Sequence, residues 1–315
     1  MIDSKVIIVG GGPAGAACAW QLKKAQVPTI ILDKETFPRV KLCAGWITPR
    51  VLKKLQLVPD KYPHGLVKFN RLHVYINGKH IPIPTRQYSI RRYEFDHWLL
   101  KRAGVPVHQH QVKTIREEKG YYLIDETYRC QFLVGAGGTN CPVYRHFFMP
   151  QFPKDDNLRI TAMEQEFPYD YHDNRCHLWF YENDLSGYAW YVPKANGYLN
   201  VGVGGYLSVM KEKGQTIQQH WQALRQKLES LGLVTDFDFR PKGYNYYLRA
   251  KRTALYQNTV FLAGDAAGLA TLDMGEGIGP AIESGLLVAQ SIITKKPYSV
   301  RSIPKYSLPR IVWPW

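Results

Sequence analysis

The chain has 315 residues, of which 45% are apolar and 21% charged; this excludes a disordered chain and leaves room for about two domains at roughly 150 residues each. Lysines and arginines outnumber acidic residues 41 to 26, and the net charge of +15 attracts phosphate-bearing cofactors, anionic membranes or nucleic acid. No zinc-finger or RNP-type module is present, which argues against nucleic acid, and no run of about 18 uncharged apolar residues predicts a transmembrane helix.

The N-terminus runs into a strand-like segment without a secretory cleavage pattern. Cys18, Cys43, Cys130, Cys141 and Cys176 are odd in number, widely spaced and lack C-x-x-C. Neither a disulfide framework nor a structural zinc site is expected, and a reducing, cytoplasmic setting is favoured.

Residues 5–9 are a β-branched apolar run, the pattern of a buried parallel strand. Gly10-Gly11-Gly12-Pro13-Ala14-Gly15 follows, residues 16–24 read as a helix, and residues 28–32 are a second apolar run ending at Asp33. This is a βαβ unit with the G-x-G-x-x-G fingerprint in its required context. Gly10 permits the tight turn, Gly12 lets a pyrophosphate approach the backbone, and Gly15 lets helix and strand pack closely. The helix N-terminus offers N–H groups and partial positive charge to the phosphates. Asp33, 18 residues beyond Gly15, stands where a carboxylate accepts from an adenosine ribose and would repel a 2′-phosphate, favouring FAD or NAD over NADP.

Residues 34–50, rich in basic, Cys and Gly residues and without a clear period, read as a functional loop. Residues 66–84 predict short strands around an Asn77-Gly78 turn, and residues 93–102 an amphipathic helix. Residues 105–124 predict short strands, and residues 130–134 a buried strand ending in Gly135-Ala136-Gly137-Gly138. His108 and His110 share a strand face without a third ligand, so no metal site is expected. Residues 158–206, aromatic and alternating, predict an antiparallel sheet, with Tyr169, Tyr171, His172 and His177 read as its solvated edge. A helix over 216–231, a last strand over 259–262 followed by Gly264-Asp265, and an apolar helix over 277–293 come next. The tail, residues 295–315, carries five basic residues and no acid; it either packs on the domain, the favoured reading, or touches a membrane surface.

Gly10-x-Gly12-x-x-Gly15, Arg92-Tyr93-Glu94-Phe95-Asp96, Leu262-Ala263-Gly264-Asp265-Ala266-Ala267 and Gly275-Glu276-Gly277-Ile278 together resemble the p-hydroxybenzoate hydroxylase-like FAD-dependent oxidoreductase superfamily. Phe37-Pro38-Arg39-Val40-Lys41-Leu42-Cys43-Ala44-Gly45-Trp46, and Gly187-Tyr188-Ala189-Trp190-Tyr191-Val192-Pro193 followed by Asn200-Val201-Gly202-Val203-Gly204, resemble its geranylgeranyl reductase-like branch. The resemblance spans roughly residues 5–293. It implies an α/β fold, a Rossmann-like FAD-binding domain with an inserted β-rich (α+β) substrate domain. The expected FAD-binding domain is 1–65, 86–155 and 245–295, the substrate domain 66–85 and 156–244, and the tail 296–315. Gly137 stands where the superfamily carries an acid, and Cys43-Ala44-Gly45 replaces Cys-Gly-Gly or Cys-Gly-Glu.

The resemblance implies that Asp265 accepts from ribityl hydroxyls, and that Gly275 and Gly277 let N–H groups approach the flavin N1–C2=O edge at the positive end of the next helix. Arg92 would oppose the pyrophosphate, with Arg39 and Lys41 near the flavin; a solvated arginine and a basic surface loop are the alternatives. Further cofactor contacts are implied for Pro13, Ala14, Lys34, Leu42, Cys43, Ala44, Gly45, Val112, Ala136, Gly137, Gly138, Gly264 and Ile278. Cys43 resembles the cysteine facing flavin and substrate in geranylgeranyl reductases; near Lys41 its thiolate is favoured, and it would donate a proton or tune the flavin, the alternative being an inert packing residue. Tyr188 and Trp190, two apart on a strand, would form one wall of an apolar pocket or else belong to the sheet core. They also partly match the W-x-W-x-I-P of flavin-dependent halogenases.

The expected protein is an FAD-dependent oxidoreductase that reduces C=C bonds of an apolar, prenyl-lipid substrate by hydride transfer, with NADH or NADPH as external reductant. Its basic surface suits a pyrophosphate-bearing chain or peripheral contact with an anionic membrane. The alternatives are a flavin-dependent monooxygenase or halogenase, and a flavin-binding electron carrier without a dedicated organic substrate.

Overall fold

A computed structural model describes residues 1–251 and 255–308. The chain opens with β1 (Ile2–Val9), α1 (Pro13–Lys24) and β2 (Thr29–Asp33), the predicted βαβ unit. Then come β3 (Trp46–Ile47), α2 (Pro49–Lys54), β4 (Val67–Ile76) and β5 (Lys79–Ser89). α3 (Arg92–Ala103) precedes β6 (Val107–Gln109), β7 (Ile115–Glu118), β8 (Tyr121–Ile124) and β9 (Tyr128–Gly135). α4 (Pro142–Phe147) leads into β10 (Arg159–Pro168), β11 (Cys176–Phe180), β12 (Gly187–Lys194) and β13 (Tyr198–Tyr206). α5 (Leu207–Glu212), α6 (Ile217–Ser230), β14 (Lys242–Tyr247), β15 (Tyr256–Gln257), β16 (Val260–Leu262) and α7 (Ile278–Thr294) complete the order.

The chain forms two units, the first from Met1–Arg39, Tyr93–Lys154 and Tyr247–Ser307. Its main sheet runs β15-β16-β9-β1-β2-β6, parallel from β16 to β6, with β8 antiparallel on β9 and β7 on β8. β1 is central, which explains why Val6, Ile7, Ile8 and Val9 are all buried rather than alternating. The small residues of α1 let α7 lie against it. The first part of the tail packs here: Tyr298, Val300 and Ile303 are buried, and the Arg249 guanidinium donates to the carbonyls of Val300 (2.9 Å) and Ile303 (2.7 Å). Residues 309–315 of the expected tail lie outside the described residues.

The second unit is built mainly from Val40–Arg92 and Asp155–Tyr246. Its sheet runs β14-β10-β13-β12-β11-β4-β5-β3. The expected antiparallel pairing holds for β10 to β13, but β11 joins β4 in parallel. The β4–β5 hairpin turns at Asn77 (φ 49°) and Gly78 (φ 76°), both left-handed, as a two-residue I′ turn requires. One sheet face, with Phe167, Trp179, Tyr191, Leu199 and Val201, packs on Trp221, Leu224 and Leu228 of α6. A Thr216–Gln219 capping box starts that helix.

Two expectations change. Pairing of β3 with β5 draws residues 40–65 and 86–92 into the second unit, whereas the Arg249 bonds hold the first part of the tail to the first. The supposed solvated edge is largely covered: Tyr169 packs on the α6 core, the Tyr171 hydroxyl donates to the Lys194 carbonyl, and His177 is 3% exposed.

Candidate functional site

In the first unit, α1 starts at Gly12, an extended N-cap that offers no side-chain cap, with Pro13 following and no acid in the first turn. The N–H groups of the first turn need an outside acceptor, and an anion supplies one. Arg39 brings charge to the same place, since a Cβ on Gly12 would stand 3.5 Å from its Nη2. The fully buried Asp96 carboxylate, 3.3 Å away, orients that guanidinium. Gly10 has φ +114°, and any Cβ there would overlap the Ala136 carbonyl, so the middle motif packs directly on the glycine turn. Asp33 braces the same turn: Oδ2 accepts from Gly11 N–H at 2.6 Å and Oδ1 from Glu35 N–H at 2.9 Å. Each oxygen keeps a second lone pair for a ribose hydroxyl.

The second motif lies at the end of β16. Gly264 N–H donates to Ser284 Oγ on α7 at 2.9 Å. The N-cap of α7, Gly277, also lacks a side-chain cap, and a Cβ there would be 3.4 Å from Asp265 Oδ1. The Asp265 carboxylate thus sits at the positive end of a 17-residue helix. Lys154 ties the residue after the middle motif to the second motif, donating to the carbonyls of Asp265 (2.9 Å) and Thr139 (3.3 Å). Burial pushes the Lys154 pKa down, while Asp265 and Cys141 oppose the shift. Gly137 replaces the superfamily acid in a tight place, because a Cβ would stand 3.3 Å from Cys141 Cα. Glu276 is held by Ser307 Oγ at 3.0 Å, and burial pushes its pKa up to about 7.

In the second unit, Lys194 at the end of β12 is fully buried. Its Nζ donates to the carbonyls of Ala44 (2.5 Å) and Ile90 (2.6 Å) and lies 3.6 Å from Glu166 Oε2. A Cβ on Gly45 would overlap both Nζ and the Ile90 carbonyl, so the ammonium occupies the space that glycine leaves. Burial lowers the Lys194 pKa, against the opposing charges of Glu166, Cys43 and Glu164.

Sheet register sets Glu164 of β10, Gly202 of β13 and Trp190 of β12 in one row. A Cβ on Gly202 would overlap the Trp190 indole and stand 2.7 Å from Glu164 Cβ. The indole therefore lies across β13, where Nε1 donates to Asn200 Oδ1 at 2.7 Å. Asn200 Nδ2 is 3.4 Å from Glu164 Oε1, the Tyr244 hydroxyl is 3.5 Å from Oε2, and the Cys43 amide also bonds this carboxylate. Glu164 is 1% exposed, and burial pushes its pKa up to about 7 against Lys194, Asn200 and the Cys43 amide. The Cys43 thiol accepts from Gly45 N–H at 3.3 Å, and it is half-buried where the other four cysteines are buried. Tyr188 is half-buried, stacked on Phe180 at 4.9 Å and 5.7 Å from Trp190.

Of the remaining candidates, Arg92, Val112 and Ala136 are buried, Leu42 is half-buried, and Lys34 is exposed beside Glu35 at 3.5 Å. Lys41 lies 5.4 Å from the Tyr244 ring. His108 and His110 are bonded to Tyr128 (3.1 Å) and Asp125 (2.7 Å) respectively. Sequence reasoning passed over Glu164, Lys194, Tyr244 and Lys154, and named Asn200 only as part of a motif. For Glu164 and Lys194 the available signal was a charged residue inside an otherwise apolar, alternating sheet, since such groups must find partners when buried.

The comparisons agree with this geometry. Residues 105–294, well over half of the chain, match the model of the FAD binding domain. The chain belongs to the FAD binding domain family. Residues 8–56 also match the NAD(P)-binding Rossmann-like domain. The chain is 31% identical over 306 residues to an uncharacterized protein of Methanosarcina barkeri, covering 91% of this chain and 74% of that protein. It is 25% identical over 301 residues to geranylgeranyl diphosphate reductase of Rhodobacter capsulatus, covering 90% and 73%. The crystal structure of a geranylgeranyl bacteriochlorophyll reductase-like protein from Thermoplasma acidophilum has the same fold, with a TM-score of 0.80 at 20% identity over 98% of this chain and 84% of that one.

The protein is an FAD-dependent oxidoreductase, and the first unit fits the FAD that defines the family. The uncapped start of α1 beside Arg39 suits a diphosphate, Asp33 a ribose, and Asp265 at the start of α7 a polyhydroxylated chain. Among the described residues, no helix is long and apolar enough to cross a membrane.

Proposed function

We propose that this FAD-dependent oxidoreductase reduces C=C bonds of an apolar, prenyl-lipid substrate. The observation that carries the proposal is one face of the second unit's sheet. There a half-buried aromatic pair, Tyr188 on Phe180, lies beside Trp190 and Glu164, and Glu164 is bonded by the amide of Cys43, the only cysteine outside the core. Half-buried aromatics bind long apolar chains well, and a thiol holds a transferable proton. The relative named geranylgeranyl diphosphate reductase supports the prenyl class.

Bound FAD in its reduced form supplies a hydride. The chain does the rest. Gly12, Arg39 and the α1 N-terminus would hold the diphosphate, and Asp33 would hold the ribose. Asp265 and the α7 N-terminus take the ribityl and pyrimidine groups. Tyr188 and Trp190 orient the substrate and exclude water, and Cys43 Sγ holds the proton for the second alkene carbon. NADH or NADPH would serve as the external reductant, and the basic surface favours substrates presented at an anionic bilayer.

The test mixes anaerobically reduced protein with geranylgeranyl diphosphate and follows flavin oxidation together with product mass. Oxidation without air and a gain of two hydrogens per bond support the reading. An oxygenated product formed only in air replaces it with a monooxygenase. Cys43→Ala keeps FAD and loses alkene reduction; unchanged turnover removes the thiol from the mechanism.

A further inference from the structure

Each alkene reduced consumes one hydride and one proton, and the Cys43 thiol carries a single proton. As the π bond breaks, the hydride from the reduced flavin forms one C–H bond and the thiol proton forms the other. The resulting thiolate must regain a proton before the next turnover. Five groups face Glu164 from every element packed around it: Asn200 of β13, Tyr244 of β14, Lys194 of β12, Glu166 along β10, and Cys43 from the preceding loop. Lys194 is committed to two carbonyls and Glu166, and Glu166 also receives Arg91 Nε at 3.0 Å. Burial holds the Tyr244 phenol well above its usual range, so it keeps its proton. Among the described residues, the side-chain partners of Glu164 lie at 3.4 and 3.5 Å, beside the Cys43 amide, poor satisfaction for a carboxylate that is 1% exposed.

We propose that Glu164 is the proton reservoir behind Cys43: its acid O–H breaks as the thiol S–H re-forms, and the carboxylate then takes a proton from water. The inference rests on the proposed alkene reduction. One contact ties the two residues together: the Cys43 amide bonds the Glu164 carboxylate, inside a cluster that Lys194, Asn200 and Tyr244 complete. An acid whose pKa is raised to about 7 can both give and regain a proton near neutrality. Glu164 acts through Cys43 rather than on the substrate.

The experiment follows iodoacetamide labelling of Cys43 against pH by peptide mass spectrometry, which the four buried cysteines do not confuse. In the wild type, ionisation of Glu164 sets a negative charge beside the thiolate, so the rate profile carries an inflection near the pKa of about 7. Glu164→Gln abolishes that inflection and removes a titrating carboxylic-acid carbonyl band from the infrared spectrum. Tyr244→Phe, which keeps the carboxyl but removes a hydroxyl, moves the inflection upward. With reduced flavin and prenyl diphosphate, Glu164→Gln slows repeated turnover by about 100-fold while sparing a single turnover. Superimposable labelling profiles with no titrating band overturn the reservoir even where alkenes are reduced. Coupled profiles without any alkene reduction overturn the proposed function and leave the Glu164–Cys43 coupling standing.

Discussion

Lys194→Met tests how the loop carrying Cys43 is held. The substitution keeps the apolar stem and removes an ammonium that donates to the Ala44 and Ile90 carbonyls at 2.5 and 2.6 Å. Leaving those two acceptors without a donor costs about 1–3 kcal/mol each. Relief of the ammonium's own desolvation offsets part of that. Glu166 is not stranded, because Arg91 remains 3.0 Å from Oε1. The net destabilisation is about 2–3 kcal/mol, which lowers a urea midpoint by about 1 M. The loss is concentrated at residues 43–45, so labelling of Cys43 accelerates by more than the global change alone produces. A midpoint within about 0.2 M of wild type, together with unaltered Cys43 labelling, refutes the claim that this lysine clasps the loop.

Gly202→Ala forces a Cβ into the Trp190 indole, so it destabilises by about 1–3 kcal/mol and changes the indole fluorescence; an unshifted unfolding curve contradicts the sheet row described above. Burial holds the His177 pKa below its usual value despite Asp173, so the unfolded chain binds the extra proton and stability falls as pH drops below about 6.5. His177→Gln flattens that limb of a urea-midpoint profile, and an unchanged slope rejects the assignment. Asp173, held well below the ordinary carboxylate range by Arg175 and His177 against its burial, adds stability that is lost only in stronger acid. With a net charge of +15, the protein binds phosphatidylglycerol vesicles at low salt and releases them as salt rises, while absence of low-salt binding removes bilayer contact from the proposal.

The first unit was legible where structure follows from local chemistry. The glycine turn, α1 and Asp33 are neighbours in the chain, and each constrains the next. The same holds for the Asn77-Gly78 hairpin and for α6 with its capping box. The expected division failed at residues 40–65 because Trp46 pairs with Ser89, a contact that local pattern does not signal. The parallel pairing of Cys176 with Leu72 spans a still wider gap in the chain. The polar cluster was hidden for the same reason. Glu164, Lys194, Asn200 and Tyr244 come from four strands, and only the strand order β14-β10-β13-β12 brings them together. Lys154 carried no signal at all, because its partners are main-chain carbonyls.

That register also changes what the aromatic motif can do. Trp190 was expected either as a wall for a substrate or as sheet core; its only polar atom is committed to Asn200, and the ring is pinned over Gly202. It cannot turn to donate a hydrogen bond to a ligand without breaking a buried bond, a loss of about 1–3 kcal/mol. It therefore offers a fixed apolar surface, while Tyr188, half-buried and stacked on Phe180, is the member of the pair with a surface still open to a ligand. The spacing of the motif follows from this. An aromatic at 190, an amide at 200 and no side chain at 202 are what one indole needs to lie across a strand and end beside Glu164. A sequence that kept Trp190 but filled position 202 would lose the polar chain and the apolar surface together, which ties that surface and the proposed proton supply to the same three residues.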